Sequence, residues 1–178
     1  RADTGEVLHA RMRKGSAGSG RGAQRFVRET IGRVRRAGAT GQLIFRADAG
    51  FWSRKVITAC TDHNAQFSIT VTRQPVITGA IEAIDEDDWV DIAYTDGGSA
   101  QVAETTWDRW RLIVRRTRIE DDPDLPVLFA AWRHHAFVTN RTGEAVDLDR
   151  DHRAHAVVEL AIRDLKHGVG LNHCPSGI

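Results

Sequence analysis

The sequence predicts an α/β fold that a β-rich segment interrupts, and three observations predict it. Strand and helix patterns alternate over residues 6–72. Short strands separated by turn signals fill about 85–145. Helical periodicity then returns over about 150–167. Because alternating strands and helices build a sheet flanked by helices, we expect an α/β core in two pieces with an all-β insertion between them. The three parts are 1–84, 85–147 and 148–178.

Three strand patterns and two helix patterns make up the first part. The alternation of apolar and polar residues predicts strands over 6–13 and 66–72. The apolar run QLIF at 42–45 is typical of a buried strand. Apolar residues at helical spacing predict helices over about 22–37 and 52–63.

The second part consists of strand-like runs with turns between them. The runs are WVDIAY, QVAETTW, WRLIVRRTRI and FAAWRHHAFVTN, and the turn signals are DGGS and RTGE. We expect the tryptophans to pack in the core or on the sheet, with base stacking by one aromatic of the insertion as the alternative. The five tryptophans are Trp52, Trp89, Trp107, Trp110 and Trp132.

Composition excludes several classes of protein. The chain has 178 residues, 41% hydrophobic and 28% charged, and no apolar run reaches the roughly 18 residues of a membrane span, so we expect no membrane partner. Cys60 and Cys174 form no CxxC pair, which favours a reducing cytoplasm. The chain begins at Arg1 and has no clear closing element, so we expect an internal fragment of a longer protein.

Charge is unevenly distributed although the net charge is only +1. Asp85 to Asp88 is an acidic run, and we expect it to be a solvated turn because consecutive acids diverge. The first 36 residues are strongly basic, which is typical of a surface that meets a polyanion. The basic residues there are Arg11, Arg13, Lys14, Arg21, Arg25, Arg28, Arg33, Arg35 and Arg36.

Two acidic positions are candidates for chemistry. Asp48 follows a buried strand and precedes Gly50, a loop position where α/β sheets place functional groups; the alternative is a turn or capping aspartate. Glu159 lies on the last helix, whose apolar stripe would pack on the sheet while a polar stripe faces away. The alternative for Glu159 is a surface pair with Arg163. The polar stripe contains His152, His155, Glu159, Arg163 and Lys166, and Asp149 or Asp151 would cap the helix.

A glycine-rich segment, GSAGSGRG, lies between the first strand and the first helix. It fails the P-loop pattern, but Gly18, Gly20 and Ala23 satisfy G-x-G-x-x-G/A. No acid follows at the required distance and the preceding strand is half polar, so we expect no nucleotide cofactor. A dinucleotide-binding oxidoreductase would need a parallel sheet continuing through 90–140, and it stays an alternative. No second ligand pair accompanies His152 and His155, so zinc is not expected.

Three segments together resemble bacterial transposases of the DDE type, most closely the insertion sequence 1380 family within the broader group related to insertion sequence 4. The segments are DTGEVLHARMRKGSAGSGRGAQRFV at 3–27, LIFRADAGFWS at 43–53 and HRAHAVVELAIRDLKHGVGLNHCPSG at 152–177. In their final core helix these proteins carry a tyrosine, an arginine, a glutamate and a lysine. In that register this chain has His152, His155, Glu159 and Lys166.

The resemblance implies a ribonuclease-H-like core interrupted by a β-rich insertion. It implies that Asp48 and Glu159 are catalytic and bind Mg²⁺ or Mn²⁺, as two ions. The family's first aspartate lies on a strand upstream of residue 3, and no residue here matches it. Asp3, in the following turn, is not that residue. We therefore expect this fragment alone to be inactive.

The implied activity is cleavage of phosphodiester bonds at transposon ends and strand transfer into target DNA. The implied partner is double-stranded DNA, contacted by the basic loop and the last helix. Those contact residues are His152, His155, Lys166, Lys14 and Arg21. The resemblance also implies a homodimer and a bacterial cytoplasmic, nucleoid-associated location. The alternative in the same family is a remnant that binds DNA without cutting it.

Overall fold

The structure is a computed structural model that describes residues 4–11, 18, 20–94, 98–118 and 132–154. Within these residues the α-helices are α1 (Ala23–Arg36), α2 (Arg54–Thr61), α3 (Pro75–Glu82) and α4 (Ala145–Arg153). The strands are β1 (Leu43–Ala47), β2 (Ala65–Thr70), β3 (Val90–Ile92), β4 (Ala100–Trp107), β5 (Trp110–Arg118) and β6 (Trp132–Thr139). Short 3₁₀ turns cover Ala49–Phe51 and Glu86–Asp88. No helix of this described part is long and apolar enough to cross a bilayer.

The six described strands form one mixed sheet in the order β1-β2-β6-β5-β4-β3. β1 and β2 are parallel, and every other neighbouring pair is antiparallel. The expected α/β class is therefore confirmed, and the mixed sheet is consistent with a ribonuclease-H-like transposase domain. Since β3 to β6 are antiparallel, the parallel sheet that a dinucleotide-binding domain would need through 90–140 is absent from the described residues of that range.

The two faces of the sheet have different characters. On β2, Phe67 and Ile69 are fully buried in the larger core, to which α1, α2 and α3 contribute residues such as Val27, Val56 and Ile77. The alternate residues of a strand point to the opposite face. On that second face α4 packs through Leu148 on Val102, Ile113 and Phe137, in a smaller cluster. The helices therefore cover both faces, and α4 alone among the described helices lies on the second.

Most of the first part agrees with the sequence prediction. The helix expected over 22–37 is confirmed as α1, and β1, α2 and β2 agree with their predicted ranges to within two residues at both ends. The strand predicted over 6–13 is wrong for residues 6–11, which pair with no described strand. That segment instead lies along α1, where the His9 ring stacks on Phe26 at 4.4 Å and bonds Thr30 Oγ1 through Nδ1 at 2.8 Å.

Helix α4 begins earlier than the sequence predicted, and it ends at Arg153 with Ala154 at its C-cap. The single helix expected over about 150–167 is therefore wrong at this point, and residues beyond 154 lie outside the described residues. Glu144 occupies its N-cap position, so the predicted cap at Asp149 or Asp151 is wrong. Both aspartates lie inside the helix, where their carboxylates form ion pairs with arginines of the sheet and of its loops. Asp149 binds Arg115, and Asp151 binds Arg46 and Arg141. Ion pairing with the sheet therefore replaces the capping role.

Candidate functional site

Asp48 lies directly after the carboxyl end of β1, with an exposed side chain. Its Oδ1 accepts a hydrogen bond of 2.9 Å from the Gly50 backbone N–H and so caps the turn Ala49–Phe51. Among the described residues Oδ2 has no hydrogen-bond partner. The capping alternative is thus confirmed, and it uses one oxygen while the other remains available for a ligand.

The last residues of the glycine-rich segment, Gly20 to Gly22, lie next to this turn. A Cβ built on Gly20 would lie 3.6 Å from the Gly50 carbonyl oxygen, in ordinary van der Waals contact. Arg21, one of the predicted DNA contacts, follows Gly20 directly and is exposed. Gly22 adopts φ +75°, in the left-handed region that favours glycine, and leads into α1. Arg21 and the amino end of α1 are therefore brought close to the turn that carries Asp48.

Helix α4 crosses the second face of the sheet toward β1. Near its start Leu148 packs on Val102 of β4 and Ile113 of β5. Near its end His152 bonds to β2, and Asp151 pairs through its carboxylate and its backbone carbonyl with Arg46 of β1. The helix axis thus leads from β4 and β5 to the strand that ends at Asp48.

His152 lies at the interface between α4 and the sheet and is only 6% exposed. Its Nδ1 bonds Ser68 Oγ at 2.6 Å and its Nε2 bonds Thr70 Oγ1 at 3.0 Å, while the ring stacks on Phe137 at 4.1 Å. The sequence analysis expected the polar stripe to face away from the sheet, and at His152 this is wrong. The reason is that β2 presents hydroxyls on this face, so a polar ring meets them with its hydrogen bonds satisfied. Contact of His152 with DNA stays a prediction.

These hydrogen bonds predict the outcome of a stability measurement. We expect His152→Ala to lower the free energy of unfolding by about 2–4 kcal/mol, because it removes the stacked ring and leaves two hydroxyls at the interface unpaired. In a double-mutant cycle with Ser68→Ala, we expect a coupling of about 1 kcal/mol. Additive effects in urea unfolding would mean that the Ser68–His152 bond does not hold α4 on β2.

A buried ion cluster that sequence reasoning missed fixes the same helix. Asp149 is fully buried, with Arg115 Nη1 at 2.8 Å from Oδ1 and Arg153 Nε at 2.9 Å from Oδ2. Both guanidiniums lie 5.7 Å from the Tyr94 ring. The only signal in the sequence was the i,i+4 spacing of Asp149 and Arg153, which is equally typical of a solvated helix face.

His135 packs beside this cluster. Its burial, and then the nearby Arg115 charge, lower the pKa of His135 below its usual value, while Asp149 opposes the shift. Since the folded pKa lies below the unfolded value of about 6.5, this contribution to stability is full above that pH and is lost as pH falls below it. We expect His135→Gln to lose less stability than the parent between pH 7.5 and 5.5, measured by urea unfolding. An equal loss in both proteins would contradict this.

The tryptophans pack as the sequence analysis expected. Trp52 and Trp107 meet edge to face at 4.8 Å, and Trp110 meets Phe67 at 5.2 Å. Base stacking by any of them stays a prediction. The remaining two flank one guanidinium: the Arg116 Cζ lies 4.1 Å from the Trp89 ring and 4.5 Å from the Trp132 ring.

The acidic run is exposed, as expected for a solvated turn. One member has a specific partner, because the Glu86 carboxylate accepts hydrogen bonds of 2.8 and 2.6 Å from Arg116. Glu86 therefore anchors the turn to the buried Arg116.

Other predicted site residues lie outside the described residues: His155, Glu159, Lys166 and Lys14. Within the described part of the chain, no three His, Cys, Asp or Glu side chains come close enough to hold a metal ion. Asp48 fits a hard cation as a single carboxylate ligand, since that is the oxygen donor which Mg²⁺ prefers. A complete site therefore requires acids in addition to Asp48.

Comparison with known proteins gives one match. The family model of transposase DDE domain group 1 matches residues 2–177. No curated protein matches the chain. The match spans the parallel strands β1 and β2, which flank Asp48 in the chain, and the antiparallel strands that follow. This chain belongs to the family of transposase DDE domain group 1.

Proposed function

We propose that this chain is the catalytic core of a DNA transposase that hydrolyses phosphodiester bonds at transposon ends and joins the freed 3′ ends to target DNA. The family indicates a DNA-cleaving enzyme. The observation that carries the proposal for this chain is the position of Asp48. Asp48 lies at the carboxyl end of β1, the strand toward which α4 leads. One of its carboxylate oxygens caps the turn, and the other has no hydrogen-bond partner among the described residues.

Glu159 is the proposed partner of Asp48. The sequence predicts that the last helix continues to about 167, and Glu159 lies seven residues beyond His152. α4 itself ends at Arg153, with Ala154 at its C-cap, so Glu159 belongs to the chain that follows this helix end. Since His152 reaches β2 and α4 leads on toward β1, this proposal puts the Glu159 carboxylate near the end of β1. It is supported by the direction of α4, whose last turn pairs with Arg46 of β1 through Asp151.

Asp48 and Glu159 would bind two divalent ions, either Mg²⁺ or Mn²⁺. When bound, such ions generate the nucleophile and stabilise the leaving oxygen of an in-line displacement. We propose that Arg21, Lys14, Lys166 and His155 bind phosphates and orient the backbone without reading sequence. For His152 we propose a positioning role for α4 in place of the phosphate contact that the resemblance implies, because both ring nitrogens bond to β2.

Three finer statements belong to the same proposal. The chain would belong to the insertion sequence 1380 family, and 85–147 would be the insertion that divides the core. The transposase would act as a homodimer on double-stranded DNA. Each rests on the resemblance of the quoted segments and on the strand-rich pattern of the insertion.

A nicking assay tests the proposal. We would compare this chain, the same chain preceded by the residues encoded immediately upstream, and that extended protein with Glu159→Ala, on a duplex carrying the transposon end. We expect cleavage that depends on Mg²⁺ or Mn²⁺ only in the extended, unsubstituted protein, since no residue of this chain matches the family's first aspartate. An extended protein that binds the duplex but leaves it intact with either metal would favour the remnant that binds without cutting.

A further inference from the structure

We infer that the outward face of α1 is a docking surface for the phosphate backbone of duplex DNA, leading away from the turn that carries Asp48. This arginine face consists of Arg25, Arg28, Gly32 and Arg36. The inference rests on the proposed function only in taking duplex DNA as the ligand. None of these four residues is among the DNA contacts that the resemblance implies.

The helix is charged on one side. Its 14 residues contain five arginines and one acid, Glu29. At about 100° per residue, the buried Ala23, Val27 and Ile31 fall within one arc, and the arginine face falls opposite to it. An amphipathic helix needs polar residues on its outer side, but it does not need them all to be cationic. Packing of α1 on the core therefore does not account for the excess of arginine on its outer side.

The arginine face borders an open cleft of about 560 Å³. Gly32 and His63, which follows the end of α2, also line this cleft, and Arg36 Nη1 lies 3.3 Å from the position that a Cβ of Gly32 would take. The flank of α1 beyond Glu29 is covered by residues 5–11, where Arg11 binds Glu29 and His9 stacks on Phe26. One flank of the helix is thus closed and the cleft side is left open.

The arginines of this face differ in what they already bind. Arg25 is 80% exposed and shares Glu29 with Arg11, so the one acid lining the cleft is already paired. Arg28 and Arg36 are exposed and pair with no acid among the described residues. Two uncompensated guanidiniums on either side of a glycine are well suited to bind phosphate oxygens.

The dimensions favour a continuous backbone over a single phosphate. From Arg25 to Arg36 the helix rises roughly 16 Å. Phosphates of one DNA strand advance about 3.4 Å each along the duplex axis, so this length spans about four or five of them. At its other end, α1 begins beside the turn of Asp48, where Gly20 approaches Gly50. A duplex lying on the arginine face would therefore continue to the proposed cleavage site.

The test is equilibrium binding of a fluorescent duplex of about 20 base pairs in EDTA, which removes metal and hence cleavage. We expect Arg28→Ala with Arg36→Ala to weaken binding at least about tenfold and to reduce the slope of log K against log salt by about 2. Arg28→Lys with Arg36→Lys should keep most of the affinity and the slope, since the charges remain.

The matched control is Arg118→Ala with Arg133→Ala, which removes the same charge from exposed positions on β5 and β6. An equal loss of affinity in both pairs, or an unchanged slope in the α1 pair, would overturn the inference. Circular dichroism of each variant reports whether the fold is kept. Because binding is measured without metal, these outcomes are independent of the nicking assay: loss of cleavage with normal binding would count against the proposed catalytic site only.

Discussion

Asp48→Asn is expected to lower metal-dependent cleavage by at least about 1,000-fold, or roughly 4 kcal/mol of activation free energy. Asparagine keeps an oxygen that can accept the hydrogen bond from Gly50 N–H, so the capped turn Ala49–Phe51 should persist. The substitution removes the negative charge that the carboxylate supplies to a bound divalent cation. The expected loss therefore reports on metal binding and not on the local fold.

The measurement is the single-turnover nicking rate of the N-terminally extended protein with Mg²⁺ and with Mn²⁺. Asp87→Asn is the matched control, since Asp87 is an exposed aspartate of the turn Glu86–Asp88. We expect the control to cleave at the parent rate. If Asp48→Asn kept more than a tenth of the parent rate, Asp48 would not be a metal ligand.

Asp149→Ala is expected to lower the free energy of unfolding by about 3–5 kcal/mol, because Asp149 is fully buried and paired with Arg115. Removing one partner of a buried ion pair leaves the other charge uncompensated. Here Arg115 would lose its carboxylate, and its Nε has no hydrogen-bond partner among the residues that the structure describes. The loss of this anchor should also loosen the helix that leads to Glu159.

Asp147→Ala in the same helix is the control. Asp147 pairs with Arg150 at 2.7 Å, but both side chains are more than half exposed, so we expect a change of less than about 1 kcal/mol. Urea unfolding followed by circular dichroism measures both variants. Equal effects of the two substitutions would mean that the buried cluster contributes no more than a surface pair.

Much of the fold was predictable because local patterns decide it. The spacing of Val27 and Ile31 in α1 and the alternation of Phe67 and Ile69 in β2 record which side of each element is buried. Turn signals likewise separate β4, β5 and β6. The run of residues 6–11 shows the limit of this reasoning, because alternation indicates a strand only where another strand is available to pair with it.

The site was predictable in part. The position of Asp48 after a buried strand pointed to a functional loop, and its cap on Gly50 was the stated alternative. The direction of α4 and the burial of His152 were not predictable, because both depend on which face β2 presents after it pairs with β6. In the Asp149 cluster, Arg115 and Asp149 lie 34 positions apart in the sequence, and short-range periodicity does not predict a contact between such distant residues.

The central claim is that Asp48 and Glu159 bind the same metal centre, and iron-directed cleavage of the polypeptide tests it most directly. Fe²⁺ bound in place of Mg²⁺, with ascorbate and peroxide, produces hydroxyl radicals that cut the backbone near the ion. In the extended protein we predict cuts near residues 48 and 159, both suppressed by excess Mg²⁺ and both lost in Asp48→Asn. A cut near 159 that persists in Asp48→Asn, or cuts at neither position, would contradict the claim.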